Sequence, residues 1–95
     1  MQKPVRIRSR AHLDWVRDLP CAACGQSWQP CDPAHVRRGT DGGAGLKPSD
    51  SWVIPLCSAH HREQHSIGEA SFAAKYGLDL KALAERVWRA SPHKV

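Results

Sequence analysis

The chain has 95 residues, of which 41% are hydrophobic and 24% charged, a composition typical of a folded domain rather than a disordered segment. It carries 14 Lys and Arg against 9 Asp and Glu, a formal net charge of +5 that favours contact with phosphate backbones. No apolar run approaches the ~20 residues that span a bilayer, and the basic N-terminus has no apolar signal segment. We therefore expect a cytoplasmic protein without a membrane partner.

The first half of the chain begins with a basic cluster of Lys3, Arg6, Arg8 and Arg10. Ser9 can cap a short helix over residues 9–18, which Pro20 would end. Residues 34–37 are predicted to be an extended arm or strand. Residues 39–51 hold four of the seven glycines and are predicted to form a flexible loop. Trp52–Ile54 has strand character.

The second half of the chain has helical patterns. Ser58 can cap a helix over residues 59–66, and Ser66 with Glu69 resembles the capping box of a further helix that Gly77 ends. Asp79 can cap a last helix with apolar residues at helical spacing: Leu80, Leu83, Ala84, Val87 and Trp88. We assign these to the core, with ligand stacking by Trp88 as the alternative. The prediction is one α+β domain over residues 1–95, with its core at about 19–67 and C-terminal helices at about 67–91.

The cysteines favour a metal site over disulfides, because cytoplasmic thiols stay reduced. Cys21-x-x-Cys24 lets two sulfur atoms converge from one tight turn, and Cys57-x-x-His60 repeats that spacing where a strand passes into a helix. These four residues supply the tetrahedral ligand set of a structural zinc ion. Cys31 competes for the fourth position, but we predict that it is a free thiol. A redox role for CxxC is disfavoured, because no βαβ pattern surrounds it.

Two further histidines, His61 and His65, follow the last zinc ligand. Their spacing of four residues places both imidazoles on one helix face, where they can bind a single ion. His60 is rotated by about 100° from His61 on an ideal helix, so it faces a different ion. An ion held by only two imidazoles keeps open positions, which suits catalysis with Mg²⁺, Mn²⁺ or Zn²⁺. The sequence therefore predicts a structural zinc and a separate catalytic divalent cation.

His35, on the extended arm, is the candidate general base. Zinc binding would draw the two half-sites together, so the chain between them must double back and bring His35 against the helix of the histidine pair. An imidazole there could deprotonate a water beside a metal-bound phosphate. Arg37, two residues on, would share its strand face and could bind phosphate oxygens, with Lys47 or Arg62 as further backbone contacts.

Taken in order, the motifs are CxxC at 21–24, DPAHVR at 32–37, KPSD at 47–50 and PLCSAHHREQH at 55–65. This set, over about residues 9–90, resembles the HNH nucleases with a ββα-metal core, especially the small phage and prophage group that includes the Ref and Rap recombination nucleases and YbcO-like proteins. The resemblance implies a two-stranded hairpin and a helix around one divalent cation, with a separate zinc. It implies that His35 is the general base, that His61 and His65 bind the catalytic cation, and that water hydrolyses DNA phosphodiesters.

Two positions depart from that family. Its members usually carry His or Asp directly before the base as a metal ligand, and here that residue is Ala34. Asp32 is an odd number of strand residues from the base, so we expect it on the other face and not as a simple substitute. Trp52 lies near the expected place of the asparagine that usually orients the base. Asp50 is the nearest polar residue that could hold the other ring nitrogen of His35, and its alternative role is a cap or turn residue.

The expected function is that of a metal-dependent DNA endonuclease in phage or prophage DNA processing or recombination. We expect backbone contacts with DNA, weak or no sequence specificity, and a monomer or homodimer. The alternative is a zinc-stapled DNA-binding module with little or no catalysis. A redox or purely structural zinc protein has no support beyond the lone CxxC motif.

Overall fold

A computed structural model describes residues 7–41 and 47–93. The described elements, in chain order, are α1 (Arg10–Arg17), β1 (Asp32–His35), β2 (Val53–Leu56), α2 (Ser58–Ile67), α3 (Glu69–Tyr76) and α4 (Leu80–Ala90). They confirm the predicted α+β class. Lys3 and Arg6 of the basic cluster, and residues 42–46 of the predicted flexible loop, lie outside the described residues. No helix within the described ranges is both long and apolar enough to cross a membrane.

Local sequence signals place several helix ends correctly. The Ser9 side chain accepts a hydrogen bond from the backbone N–H of His12 at 3.2 Å and so caps α1. Asp79 caps α4 in the same way, through the N–H of Ala82 at 3.1 Å. Gly77 ends α3 in the left-handed conformation, with φ of 64°.

The two strands pair antiparallel, with Asp32 opposite Leu56 and His35 opposite Val53. Strand β1 begins and ends two residues before its predicted limits, whereas β2 begins one residue and ends two residues after its own. The pairing register rather than residue propensity sets these limits. Pro33 faces Pro55 in the middle of this hairpin. Prolines are tolerated there, because both strands are edge strands and a missing N–H breaks no ladder bond when it would point outward.

The core lies between the hairpin and the helices. Its fully buried side chains include Phe72 of α3 and, on the strands, Ala34, Ile54 and Leu56. Helix α4 packs against β2 and contributes the buried Leu80 and Ala84, α1 packs against both strands, and α2 packs against α3 and the hairpin.

The predicted capping box is wrong. Ser66 lies inside α2, which runs to Ile67, and Glu69 is the first residue of α3. The Glu69 carboxylate accepts hydrogen bonds from the backbone N–H groups of Arg37 and Arg38, at 2.7 and 3.0 Å. A tertiary contact therefore uses the side chain that the local pattern assigned to a cap. It fixes the chain that leaves β1 to the beginning of α3.

Candidate functional site

Four predicted zinc ligands converge at the junction of β2 and α2. One ligand atom from each of Cys21, Cys24, Cys57 and His60 can be chosen so that all four lie within 4.8 Å of one another. His60 Nδ1 lies 3.0 Å from the Cys57 sulfur and 3.8 Å from the Cys21 sulfur. Three thiolates and one imidazole are a ligand set typical of structural zinc sites, so these residues fit that ion.

The CxxC turn is held in place by backbone bonds. The N–H of Gly25 donates to the Cys21 carbonyl at 2.7 Å, and Gly25 has φ of 75°, which favours glycine. The N–H of Ala22 donates to the Pro55 carbonyl of β2 at 2.8 Å, which brings the two half-sites together. Burial opposes ionisation of Cys21, but backbone N–H groups of Cys57, Cys24 and Ala23 more than offset it and lower the pKa of this thiol.

Cys31 lies outside the cluster, as predicted. It is buried in the hydrophobic core, where the Gln26 side-chain amide donates to its sulfur at 3.4 Å. Burial raises the pKa of this thiol. The thiol is therefore a core residue and not the fourth zinc ligand.

His61 and His65 face each other on α2. Their Nε2 atoms are 3.2 Å apart and their ring centroids 4.9 Å apart. At this distance the two nitrogen atoms can share a hydrogen bond, or both can bind one metal ion. The pair could therefore hold one metal ion with little rearrangement, and the prediction that both imidazoles share a helix face is confirmed.

Asp32 contacts this histidine pair, which the sequence reasoning missed. Its Oδ2 atom lies 3.0 Å from His61 Nδ1. The carboxylate accepts the Nδ1 proton, so the His61 Nε2 lone pair is left facing His65. The pairing register explains the contact, because Asp32 is opposite Leu56 and α2 begins two residues after Leu56.

A second pair joins the end of β1 to the loop before β2. His35 Nε2 lies 3.0 Å from Asp50 Oδ1, which is the contact predicted for these residues. The role of Asp50 as a positioning group stays a prediction. Because the carboxylate can only accept, Nε2 carries the proton and the Nδ1 lone pair of a neutral His35 is available as a base.

The surroundings keep this pair in the protonation states that a base needs. Burial lowers the pKa of His35, and the nearby Lys47 and Arg8 cations act in the same direction against the opposing effect of Asp50. Burial opposes ionisation of Asp50, but hydrogen bonds from His35 and the Ser9 N–H, with the Arg8 charge, lower its pKa. At neutral pH we therefore expect an uncharged imidazole beside an ionised carboxylate.

The N-terminal segment positions Asp50. The Ser9 N–H donates to Asp50 Oδ2 at 2.8 Å, and the Arg8 guanidinium lies 3.4 Å from Oδ1. Arg8 also donates to the carbonyls of Pro48 and Lys47, at 2.6 and 3.1 Å. Arg8 therefore holds Asp50 and the backbone of residues 47–48 in position. The sequence predicted only that it belongs to a basic cluster.

The three candidate phosphate-binding residues are exposed, as contact with DNA requires: Arg37, Lys47 and Arg62. Arg37 lies just after the end of β1, and the expectation that it shares the strand face of His35 stays a prediction. Its position is set by the bond from its backbone N–H to Glu69.

Two histidine groups thus lie at the two ends of strand β1. Asp32, at the start of β1, contacts the His61–His65 pair, and His35, at its end, contacts Asp50. Three residues of extended chain separate the two ends by about 10 Å. Within residues 7–41 and 47–93 no hydrogen bond or ion pair joins His35 to the pair on α2.

Comparison with known proteins gives a family and one curated relative. A family model described as a protein of unknown function (DUF968) matches residues 1–91. The uncharacterized protein YdfU of Escherichia coli strain K12 is 37% identical over 92 residues, which cover 95% of this chain and 26% of YdfU. The chain therefore spans about a quarter of the length of that relative. No solved structure matches the chain.

Proposed function

The chain belongs to the DUF968 family, and we propose that it is a metal-dependent endonuclease of the HNH, or ββα-metal, class that hydrolyses DNA phosphodiesters. The observation that carries this proposal is the geometry of His61 and His65, whose Nε2 atoms lie 3.2 Å apart beside the Asp32 carboxylate. A pair so oriented suits an ion with open positions, as hydrolytic sites require.

In the proposed reaction, His35 accepts at Nδ1 a proton from the water whose oxygen attacks phosphorus. Its Nε2–H stays hydrogen-bonded to Asp50, so the carboxylate stabilises the imidazolium that forms. The bond from phosphorus to the leaving oxygen then breaks, and that oxygen takes a proton from solvent. A divalent cation bound by the pair on α2 would polarise the phosphate and stabilise the leaving oxygen. Arg37, Lys47 and Arg62 contact the DNA backbone.

The cluster of three cysteines and His60 serves this site indirectly. It would hold a zinc ion that fixes the CxxC turn to the beginning of α2, the helix that carries the histidine pair. Metal-binding energy is folding energy in a domain of this size, so zinc would set the position of the catalytic helix.

The test is nicking of supercoiled plasmid in Mg²⁺ or Mn²⁺, compared with EDTA, for wild type and His35→Ala. We expect His35→Ala to lower the nicking rate by about 10²–10⁴-fold, the typical contribution of a general base. His93→Ala is the matched control, because it removes an imidazole from the exposed end of the described chain. Zinc content and circular dichroism confirm that each variant is folded. Equal nicking by wild type and His35→Ala would refute the proposed base.

A second candidate function is a zinc-stapled DNA-binding module with little or no catalysis. The observation that favours it is Ala34, which is fully buried and offers no ligand where the HNH nucleases usually carry one. Wild-type protein that binds DNA but nicks none in Mg²⁺ or Mn²⁺ would support this candidate over the nuclease.

A further inference from the structure

Trp28 differs from the other tryptophans of the chain. It is 82% exposed, whereas Trp15, Trp52 and Trp88 are half-buried. Each of those three has a partner: Trp15 and Trp88 contact the His12 ring, and the Lys81 ammonium lies over Trp52. Trp28 has no such ring or cation contact within the described residues. An indole buries a large apolar surface in most folds, so its exposure leaves that surface available to a partner.

Hydrogen bonds from the side chain of Gln26 hold the loop that carries Trp28. Gln26 is buried, and its side-chain amide bonds to Gln29 twice, accepting from the backbone N–H and donating to the backbone carbonyl, both at 3.3 Å. The same amide also donates to the buried Cys31 sulfur. The residues between Gln26 and Gln29 therefore form a fixed tip that presents the indole, which lowers the entropic cost of binding.

A shallow groove of about 150 Å³ runs beside the indole. The polar residues that line it are Arg17, Asp18, Ser27 and Gln29, which offer hydrogen-bond donors and acceptors next to the aromatic face. An aromatic face with adjacent polar groups is the arrangement that binds an unpaired nucleobase, by stacking and by bonding to its edge. The net charge of +5 favours a nucleic acid over an uncharged partner.

The loop also leads directly to the proposed catalytic strand. Trp28 is four residues before Asp32, so their Cα atoms are at most about 14 Å apart. Asp32 contacts His61. A base stacked on the indole would therefore lie within a few nucleotides of a phosphate held at the histidine pair.

We propose that Trp28 is a stacking site for an unpaired base, and that the substrate is single-stranded DNA or DNA with an unpaired segment next to the cut. Bases inside a duplex are stacked on one another and cannot reach the indole, so the site discriminates against intact duplex. This inference rests on the proposed nuclease function for its biological meaning. It concerns binding, and can be measured without cleavage.

The test is fluorescence anisotropy with labelled oligo(dT) and a matched duplex, using zinc-loaded protein without Mg²⁺ or Mn²⁺. Trp28→Ala should weaken binding of the single strand by about tenfold and leave duplex binding unchanged. Trp28→Phe should stay within about threefold of wild type, because it keeps an aromatic face. Ile67→Ala is the matched control and should bind like wild type, because it removes the other large exposed apolar side chain found within residues 7–41 and 47–93. Oligo(dT) should quench tryptophan fluorescence in wild type and not in Trp28→Phe.

The outcomes separate the two proposals. Unchanged single-strand binding by Trp28→Ala, equal weakening of both DNA forms, or no single-strand binding by wild type would each overturn the stacking site. A protein that shows the expected binding pattern but nicks no DNA would keep the stacking site and refute the nuclease.

Discussion

His60 and His61 are neighbours on α2, yet their side chains enter two very different surroundings. His60 Nδ1 faces the sulfur atoms of Cys57 and Cys21, in a cluster that can supply all four ligands of a tetrahedral ion. His61 faces His65, and its other ring nitrogen contacts the Asp32 carboxylate, so this group has two imidazoles and no thiol. We call the cluster of three cysteines and His60 the closed set, and the His61–His65 pair the open set. Helix α2 contributes to both sets, on faces about 100° apart. Substitutions should therefore separate folding from catalysis.

The largest effect is expected at the closed set. Cys57→Ala should abolish both zinc binding and cooperative unfolding, because structural zinc contributes about 10–16 kcal/mol in small domains. Metal content by mass spectrometry and thermal melting measure the two effects. Cys31→Ala is the control, since Cys31 lies outside the cluster, and it should retain zinc while losing about 1–2 kcal/mol. A zinc-loaded, cooperatively melting Cys57→Ala protein would contradict the closed set.

At the open set, His61→Ala should leave zinc and fold intact while removing the second metal ion. Nicking should fall by at least about 10²-fold, because one imidazole is insufficient to retain the cation. Metal titration followed by calorimetry gives the number of ions bound per chain. Asp32→Asn provides a graded control: the loss of an outer-shell carboxylate should weaken metal affinity by about 10–100-fold without abolishing it. Two ions still bound to His61→Ala would show that the pair is not a ligand set.

The pH dependence tests the partner of the base. Burial lowers the pKa of His35 below 6.5, so nicking should rise with pH through this lowered pKa and be flat from neutral pH upward. Asp50 opposes that lowering, so Asp50→Asn should move the acid limb to still lower pH and reduce the plateau rate by on the order of 10²-fold. A rate profile for each protein between acid and neutral pH measures both changes. An acid limb that shifts to higher pH in Asp50→Asn would exclude His35 as the titrating base.

The smallest effect concerns the CxxC turn. Gly25 has φ of 75°, and a Cβ built there meets no heavy atom within 4 Å. Gly25→Ala should therefore destabilise the fold by about 1–2 kcal/mol through backbone strain alone, with nicking unchanged. Chemical denaturation measures the loss. Gly77→Ala is the matched control, because Gly77 has a similar φ of 64° but lies at the end of α3. It should lower the free energy of unfolding by the same amount as Gly25→Ala, without changing zinc affinity.

Local rules predicted much of this molecule. The side chains of Ser9 and Asp79 cap their helices by accepting a hydrogen bond from the backbone N–H three residues later. Metal ligands separated by two residues need only a turn or the first turn of a helix to bring their side chains together. Such features depend on a few consecutive residues and can be inferred from a single sequence. The same holds for His61 and His65, whose proximity follows from the helix repeat.

Contacts between distant segments could not be predicted in the same way. Arg8 contacts Asp50 across 42 residues, and Glu69 bonds to Arg37 across 32. The Asp32–His61 contact depends on a strand register that alternation alone does not determine. The local sequence predicted a basic surface residue at Arg8, a capping residue at Glu69, and a residue facing away from the site at Asp32. In each case a tertiary contact gives the side chain a different role.

The two facing prolines of the hairpin have a consequence for the behaviour of the protein in solution. A two-stranded sheet consists only of edges, and unpaired backbone groups on an edge invite other chains to add strands and aggregate. Here the Val36 N–H bonds to the Trp52 carbonyl, which places Pro33 and Pro55 where their missing N–H groups would point outward. The outward carbonyl of Pro55 is already taken by Ala22. The centre of the hairpin therefore has no outward N–H group to which the strand of another chain could bond.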